Sequence, residues 1–258
     1  VAEARRWLEQ AVSMSIGMTS RPRGRGLTNL GNLALTLFDL HAAERHFRAA
    51  LDFWVIYGTP DDSAVAELGL GVVARLQGRY ADSLEHVENV LVVWTAADDI
   101  SSMAIAEHGL ATALSESGNG AGSRAHYERA LDLRKRAGDT SGLAYTLISS
   151  GTAERWAGDR AAALAAVSEA MAHFQELQSN DGLLLAYLQL ARLAVDSGHD
   201  AEALNLLRQS FVLLQTHMRA KAAIEALETL AAIHARRKLA LPAAALLSAA
   251  AAHRQTRS

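Results

Sequence analysis

The paired carboxylates Asp61-Asp62 and Asp98-Asp99 and the run Arg21-Pro22-Arg23-Gly24-Arg25 stand out as charge clusters. Paired acids in a helical protein could ligate a divalent metal, but no third carboxylate follows either pair at helical spacing. Both pairs stand where a helix begins, so they read as N-terminal caps. The arginine run could meet phosphate or an acidic partner; with its proline and glycine it reads as a solvated linker between helices. Gly118-Asn119-Gly120-Ala121-Gly122 carries neither the lysine nor the preceding strand of a phosphate-binding loop and reads as a hairpin turn. Ten histidines are scattered without a His-Glu-x-x-His pair, and His41 and His46 are too far around a helix to share one metal. There is no Gly-x-Ser-x-Gly elbow, and with no cysteine there is no thiol nucleophile, disulfide or thiolate metal site. No catalytic residue, metal site or cofactor is assigned, and the chain reads as a non-enzyme. A net charge of -3 argues against a dedicated nucleic-acid binder. What remains is recognition by a surface, and the elements that build it are legible.

Glycine stands at 78, 118, 158 and 198, a constant step of 40 residues. Two further tracks of small residues keep that step: Gly31, Gly71, Ala111, Gly151, Ala191, Ala231, and Ala50, Val90, Ala130, Ala170, Ser210, Ala250. A repeat of this length is one supersecondary unit that cannot bury its apolar face alone, so the units must stack. Between the glycines the apolar residues recur at three- and four-residue steps, as in Leu27, Leu30, Leu33, Ala34, Leu37. Each repeat therefore divides into two helices of about 16 residues, roughly 24 Å long. The first helices are predicted over 24–38, 62–77, 100–117, 141–157, 181–197 and 221–236. The second are predicted over 41–57, 81–96, 121–137, 161–178, 201–216 and 242–254. The track glycines sit between them, where a left-handed C-terminal turn is expected, and acids such as Asp159 and Asp200 open the next helix.

The expected organisation is one solenoid over 1–258: a leading half repeat at 1–20, in which Trp7 lies 40 residues before Phe47, then repeats at about 21–60, 61–99, 100–140, 141–180, 181–219 and 220–258. The most apolar stretch, Leu239 to Ala252, is too short to cross a bilayer. The chain lacks an initiating Met and a signal pattern, so it reads as an excerpt of a longer polypeptide.

Leu27-x2-Leu30-Gly31-x2-Ala34, followed by Ala43-x3-Phe47-x2-Ala50, resembles the tetratricopeptide (TPR) pattern of one small residue in the first helix and two in the second. The first small residue of the second helix recurs as Ala43, Ser83, Ser123, Ala163, Ala203 and Ala243; the bulky residue four later is Phe47, Val87, Tyr127, Val167, Leu207 and Leu247. HEAT and armadillo repeats have similar periods but do not require these matched tracks. The period is 40 where the usual TPR unit has 34, as in extended variants, and Glu67, Glu107 and Glu154 take some places that are aromatic in the family. The resemblance implies an all-α, right-handed superhelical solenoid of antiparallel helix pairs. Leu30-Gly31-Asn32-Leu33-Ala34, the Gly-Asp/Arg-x-Ala turns and Ala226-Leu227-Glu228-x-Leu230-Ala231 further resemble the C-terminal repeats of actinobacterial transcriptional regulators of the LuxR or antibiotic-regulatory type. That likeness implies a cytoplasmic bacterial protein in which such repeats adjoin a nucleotide-binding switch domain and a DNA-binding domain.

In the TPR arrangement the first helices line the concave side. Phasing from Gly31 places Asn32, Arg75, His108, Thr112, Glu116, Arg155, Trp156, Arg192, Asp196 and Glu228 there. Arg155 and Arg192 fall in adjacent repeats, where they could jointly hold a carboxylate or phosphate, with Trp156 as a flat apolar contact. The bland alternative is pairing with nearby acids. The implied partner is a protein or peptide segment, or a small effector, with neither nucleic acid nor membrane bound by this segment. The alternative is a free-standing adaptor that self-associates through its end repeats.

Overall fold

The turn inside each helix pair of this chain is closed by one backbone device, which recurs between pairs at Asp98, Gly138 and Gln178. The computed structural model describes residues 19–216 and 220–255, together with 6, 7, 10, 12–14 and 17. Among the described residues, helices with defined bounds run α1 Arg21–Thr36, α2 Leu40–Tyr57, α3 Pro60–Leu76, α4 Tyr80–Ala96, α5 Ile100–Glu116, α6 Gly120–Ala137, α7 Thr140–Ala157, α8 Arg160–Glu176, α9 Asn180–Asp196, α10 Asp200–Thr216, α11 Ala220–Arg236 and α12 Ala240–Gln255. Among the described residues there is no strand. Between the two helices of each pair, a residue in the left-handed region ends the first: Phe38, Gly78, Gly118, Gly158, Gly198 and Lys238. The next backbone N–H then returns to a carbonyl five residues earlier, as in Arg79 N to Ala74 O at 2.9 Å and His199 N to Ala194 O at 2.8 Å. These bonds satisfy carbonyls that the helix leaves open.

The following helix starts with a cap. Asp39, Thr59, Asp99, Asn119, Asp139, Asp159 and Ser179, all spaced by multiples of 20, each accept the backbone N–H three residues on. The acidic pairs are absorbed here: Thr59 and Asp62 form a capping box, Asp99 caps α5, and Asp61 accepts the indole N–H of Trp94 at 2.8 Å. Hydrogen bonds from the Ser102 hydroxyl and backbone N–H hold the Asp99 carboxyl below its ordinary range.

The small tracks are contact points. A Cβ added at Gly31 would come within 2.6 Å of the Phe47 ring, at Gly71 within 2.8 Å of Val87 and at Gly151 within 2.6 Å of Val167. Each first helix therefore rests directly on the bulky residue of its own partner. Phe47 also reaches Gly69 of the next pair, where an added Cβ would lie 2.4 Å away. Phe47, Val87, Tyr127, Val167 and Leu207 are buried as a result.

Two local expectations are corrected. The arginine run is helix, since α1 begins at Arg21 and Pro22 occupies its first turn, where a missing N–H costs nothing. Arg21 pairs with Asp62 at 2.6 Å, Arg23 lies 5.6 Å from the centre of the Phe53 ring, and Gly24 packs on Trp54. Likewise Gly120 and Gly122 belong to the first turn of α6, leaving Gly118 and Asn119 as the turn. The leading half repeat falls mostly outside the described residues; within it Trp7 is exposed.

The chain divides into two compact units, 1–137 and 138–258, each a stack of antiparallel helix pairs: α1 to α6 in one and α7 to α12 in the other. Among the described residues, no helix is long and apolar enough to cross a membrane.

Candidate functional site

Within each unit the first helices touch one another, α1 to α3 to α5 and α7 to α9 to α11, whereas among the described residues no second helix touches another second helix. The first helices thus line the tighter side of each stack. The residues predicted to face that side do lie on these helices, and most are tied together in cross-helix pairs. Arg75 on α3 meets Glu116 on α5 at 2.7 Å, and Arg155 on α7 meets Asp196 on α9 at 3.0 Å. Both links span 41 residues, one more than the repeat, as does Arg21 to Asp62. The extra residue carries each arginine forward to the neighbouring first helix.

Arg192 on α9 faces Glu225 on α11 at 3.7 Å. Arg155 and Arg192 therefore each engage a different carboxylate, and joint capture of an external anion requires those acids to be displaced. Trp156, next to Arg155, is 56% exposed. Thr152 lies beside Gln189, its Oγ1 3.3 Å from the amide oxygen, and Arg160 donates to the Asp196 carbonyl at 2.5 Å. Arg236 donates to the Val195 carbonyl. Two guanidinium groups thus brace the C-terminal end of α9, where the helix dipole favours cations.

In the first unit His108 and Thr112 on α5 meet the buried Tyr127 of α6. The Thr112 hydroxyl donates to the His108 carbonyl at 2.9 Å and lies 3.2 Å from the Tyr127 hydroxyl; the His108 and Tyr127 rings meet edge to face at 5.8 Å. Burial, reinforced by the positive charges of Arg134 and Arg75, pushes the His108 pKa down to about 4. Its imidazole is neutral at pH 7. Asn32 on α1 is exposed, and Glu228 on α11 is half-buried.

The glutamates at 67 and 107 have a structural role that sequence reading missed. Glu67 Oε1 lies 3.0 Å from His86 Nδ1, and the hydrogen bond from His86 holds the Glu67 carboxyl below its ordinary range. One repeat later Glu107 meets His126 at 2.6 Å and Arg129 at 3.0 Å. Offsets of 19 and 22 residues recur in both, since the Asn89 amide also donates to Glu67 Oε1 at 3.5 Å, and that recurrence was the available signal. An open depression of about 480 Å³ lies beside this second cluster, lined by Met103, Glu107, Glu128, Arg129 and Leu133. Among the described residues, no group of three or more His, Asp or Glu is arranged to hold a metal ion.

The folded chain is an all-α, TPR-like solenoid of consecutive antiparallel helix pairs. A tetratricopeptide repeat family model matches residues 62–136. No curated protein matches the sequence. Among solved structures, the chain is similar to a Rap protein complexed with Competence and Sporulation Factor, with TM-score 0.77, 13% identity, and 97% of this chain and 79% of that one covered. PlcR of Bacillus thuringiensis, solved with the peptide PapR7 and DNA, gives TM-score 0.65, 12% identity and coverage of 86% and 75%. BtubC of P. vanneervenii gives TM-score 0.67, 18% identity and coverage of 83% and 89%.

Proposed function

We propose that this chain is a non-catalytic recognition module whose first-helix face binds a peptide or protein segment, and that it forms the sensor arm of a cytoplasmic bacterial transcriptional regulator. The observation that carries the reading is on α7, where an exposed indole, Trp156, adjoins the Arg155 to Asp196 link. An exposed aromatic beside a solvent-accessible ion pair offers stacking area and two charges that can exchange partners. A peptide carboxylate takes Arg155 from Asp196, and a peptide amine takes Asp196. Two of the similar folds were solved with a bound partner, Competence and Sporulation Factor in one and the peptide PapR7 in the other, which supports the same use here. A bound segment biases neighbouring domains to the extent that it has unequal affinity for two arrangements of the stack.

The test is selection of peptides from a random display library on the purified chain, followed by titration against Arg155→Ala plus Trp156→Ala. The reading expects at least a tenfold loss of affinity, about 1.4 kcal/mol. Unchanged affinity would remove the site from this face. The regulator context is tested by sequencing the coding region on both sides: a P-loop domain and a helix-turn-helix domain support it, and their absence overturns it.

A further inference from the structure

In the first helix pair a cation fills the groove between the two helices. Arg23 of α1 is half-buried, with its guanidinium carbon 5.6 Å from the centre of the Phe53 ring of α2, and that ring meets Tyr57 at 5.0 Å. Leu27, one turn after Arg23, is buried in the same cluster as Phe53. Two repeats later each of these side chains has changed. Met103 stands in the place of Arg23, Glu107 in that of Leu27, Leu133 in that of Phe53 and Ala137 in that of Tyr57. The groove has lost its cation and both rings, and it has gained a carboxylate.

The open depression of about 480 Å³ between α5 and α6 lies where these exchanges fall. Met103 and Leu133 give it an apolar lining. Glu107 is only 6% exposed, so a ligand that reaches it meets a charge that water solvates poorly. Its Oε2 lies 2.6 Å from His126 Nδ1, and its Oε1 accepts the Arg129 Nε–H at 3.0 Å. Each oxygen therefore keeps a second lone pair. Glu128, Asp132, Arg129 and Arg136 complete the charged lining and are exposed. Three carboxylates against two guanidinium groups leave that lining with a net charge of -1. A monocation neutralises it, whereas an anion adds to the excess.

We propose that this depression binds an alkylguanidinium cation, carried by a free small molecule or by an arginine side chain of a partner, with its methylene stem on Met103 and Leu133 and its planar head at Glu107. The first pair supplies the precedent, because there the chain's own guanidinium occupies the equivalent groove. Stem and head match the two halves of the lining, apolar and carboxylate. An ammonium is more strongly hydrated than a guanidinium and loses more on entering an apolar-lined site. The polarisable Met103 thioether adapts to the flat head and the stem alike. All of these residues belong to unit 1–137, so the site does not rest on the peptide reading of α7.

The experiment is an NMR titration of the 258-residue chain, labelled at its methionine methyl groups, with 1-butylguanidinium and with its neutral isostere 1-butylurea. Met103→Leu assigns the Met103 methyl resonance. The proposal expects that resonance to shift saturably with butylguanidinium and to stay in place with butylurea at the same concentration. Glu107→Gln should weaken binding about tenfold. Because Glu107 also holds His126 and Arg129, thermal unfolding checks that this variant is folded. Met103→Arg is a second test that leaves Glu107 in place: it returns the cation of the first pair to the groove, and saturation transfer from protein to butylguanidinium should then disappear. N-acetylarginine methylamide distinguishes the sources. If it displaces butylguanidinium, the site takes an arginine side chain of a partner; if it is excluded, the site takes a free small cation. An equal response to butylurea, an unmoved Met103 methyl, or full binding by folded Glu107→Gln or by Met103→Arg would each overturn the proposal.

Discussion

The first-helix faces of the two compact units occupy the same repeat positions and are furnished differently. In unit 138–258 the face is ionic and open, with Arg155 to Asp196, Arg192 to Glu225 and the exposed Trp156. In unit 1–137 the ion pairs Arg21 to Asp62 and Arg75 to Glu116 stand beside an uncharged cluster of His108, Thr112 and, from the second helix α6, Tyr127. The repeat dictates where side chains stand, not what they carry. A helical stack can therefore keep one scaffold while varying the chemistry along its first-helix face; the proposed ligand exchange falls on the second unit, and the acid sensitivity of His108 on the first.

The largest expected effect is on the first unit alone. The unfolded chain takes up a proton at His108 near pH 6.5, while the folded chain resists until about pH 4. The unfolded state thus binds more protons in that window, and stability is lost as pH falls through it, by about 3 kcal/mol in total. Urea unfolding of wild type and His108→Gln at pH 7 and pH 4 checks this: the variant should lose less on acidification. Equal losses would remove the distinction between the units.

Next in size is a substitution that treats both units alike. Gly71→Leu and Gly151→Leu each drive a side chain into the facing valine and should cost about 1–3 kcal/mol, read as a lower thermal midpoint. If only one did so, the packing of the two stacks would not be equivalent. The turn track gives a stabilising counterpart. Phe38 and Lys238 hold the left-handed conformation that glycine supplies at 78, 118, 158 and 198. Phe38→Gly should therefore raise stability by about 1 kcal/mol, whereas Gly158→Ala should lower it by a similar amount. The smallest effect is expected at Trp156: Trp156→Ala should change stability by less than about 0.5 kcal/mol while weakening peptide binding. That split would separate the recognition residue of the second unit from the structural cluster of the first.

Much of this architecture is legible in the sequence because packing constraints repeat. Gly31, Gly71 and Gly151 had to be small to meet Phe47, Val87 and Val167, so they announce both the period and the contact. Caps such as Asp99 and Asp159 are equally local and equally readable. The start of α1 was obscured because proline and glycine near Arg21 signal a linker in isolation. Only the fold shows Pro22 in a first turn and Gly24 under Trp54. Helical phase put Arg75, Arg155, Arg192, Glu116 and Asp196 on the first helices and left pairing with nearby acids open, but it did not say which acid each arginine meets. A 41-residue offset becomes a contact only when successive first helices pack side by side.

The central claim is that recognition occurs on the first-helix face of the second unit. The most direct measurement is tryptophan fluorescence of the chain during titration with a library-selected peptide, with Trp7, Trp54 and Trp94 replaced by phenylalanine so that only Trp156 reports. Thermal unfolding of the triple variant confirms that it remains folded. The account predicts a saturable change in Trp156 emission whose midpoint matches the affinity measured by calorimetry and shifts at least tenfold in Arg155→Ala. Calorimetric binding with no change in Trp156 emission would contradict it.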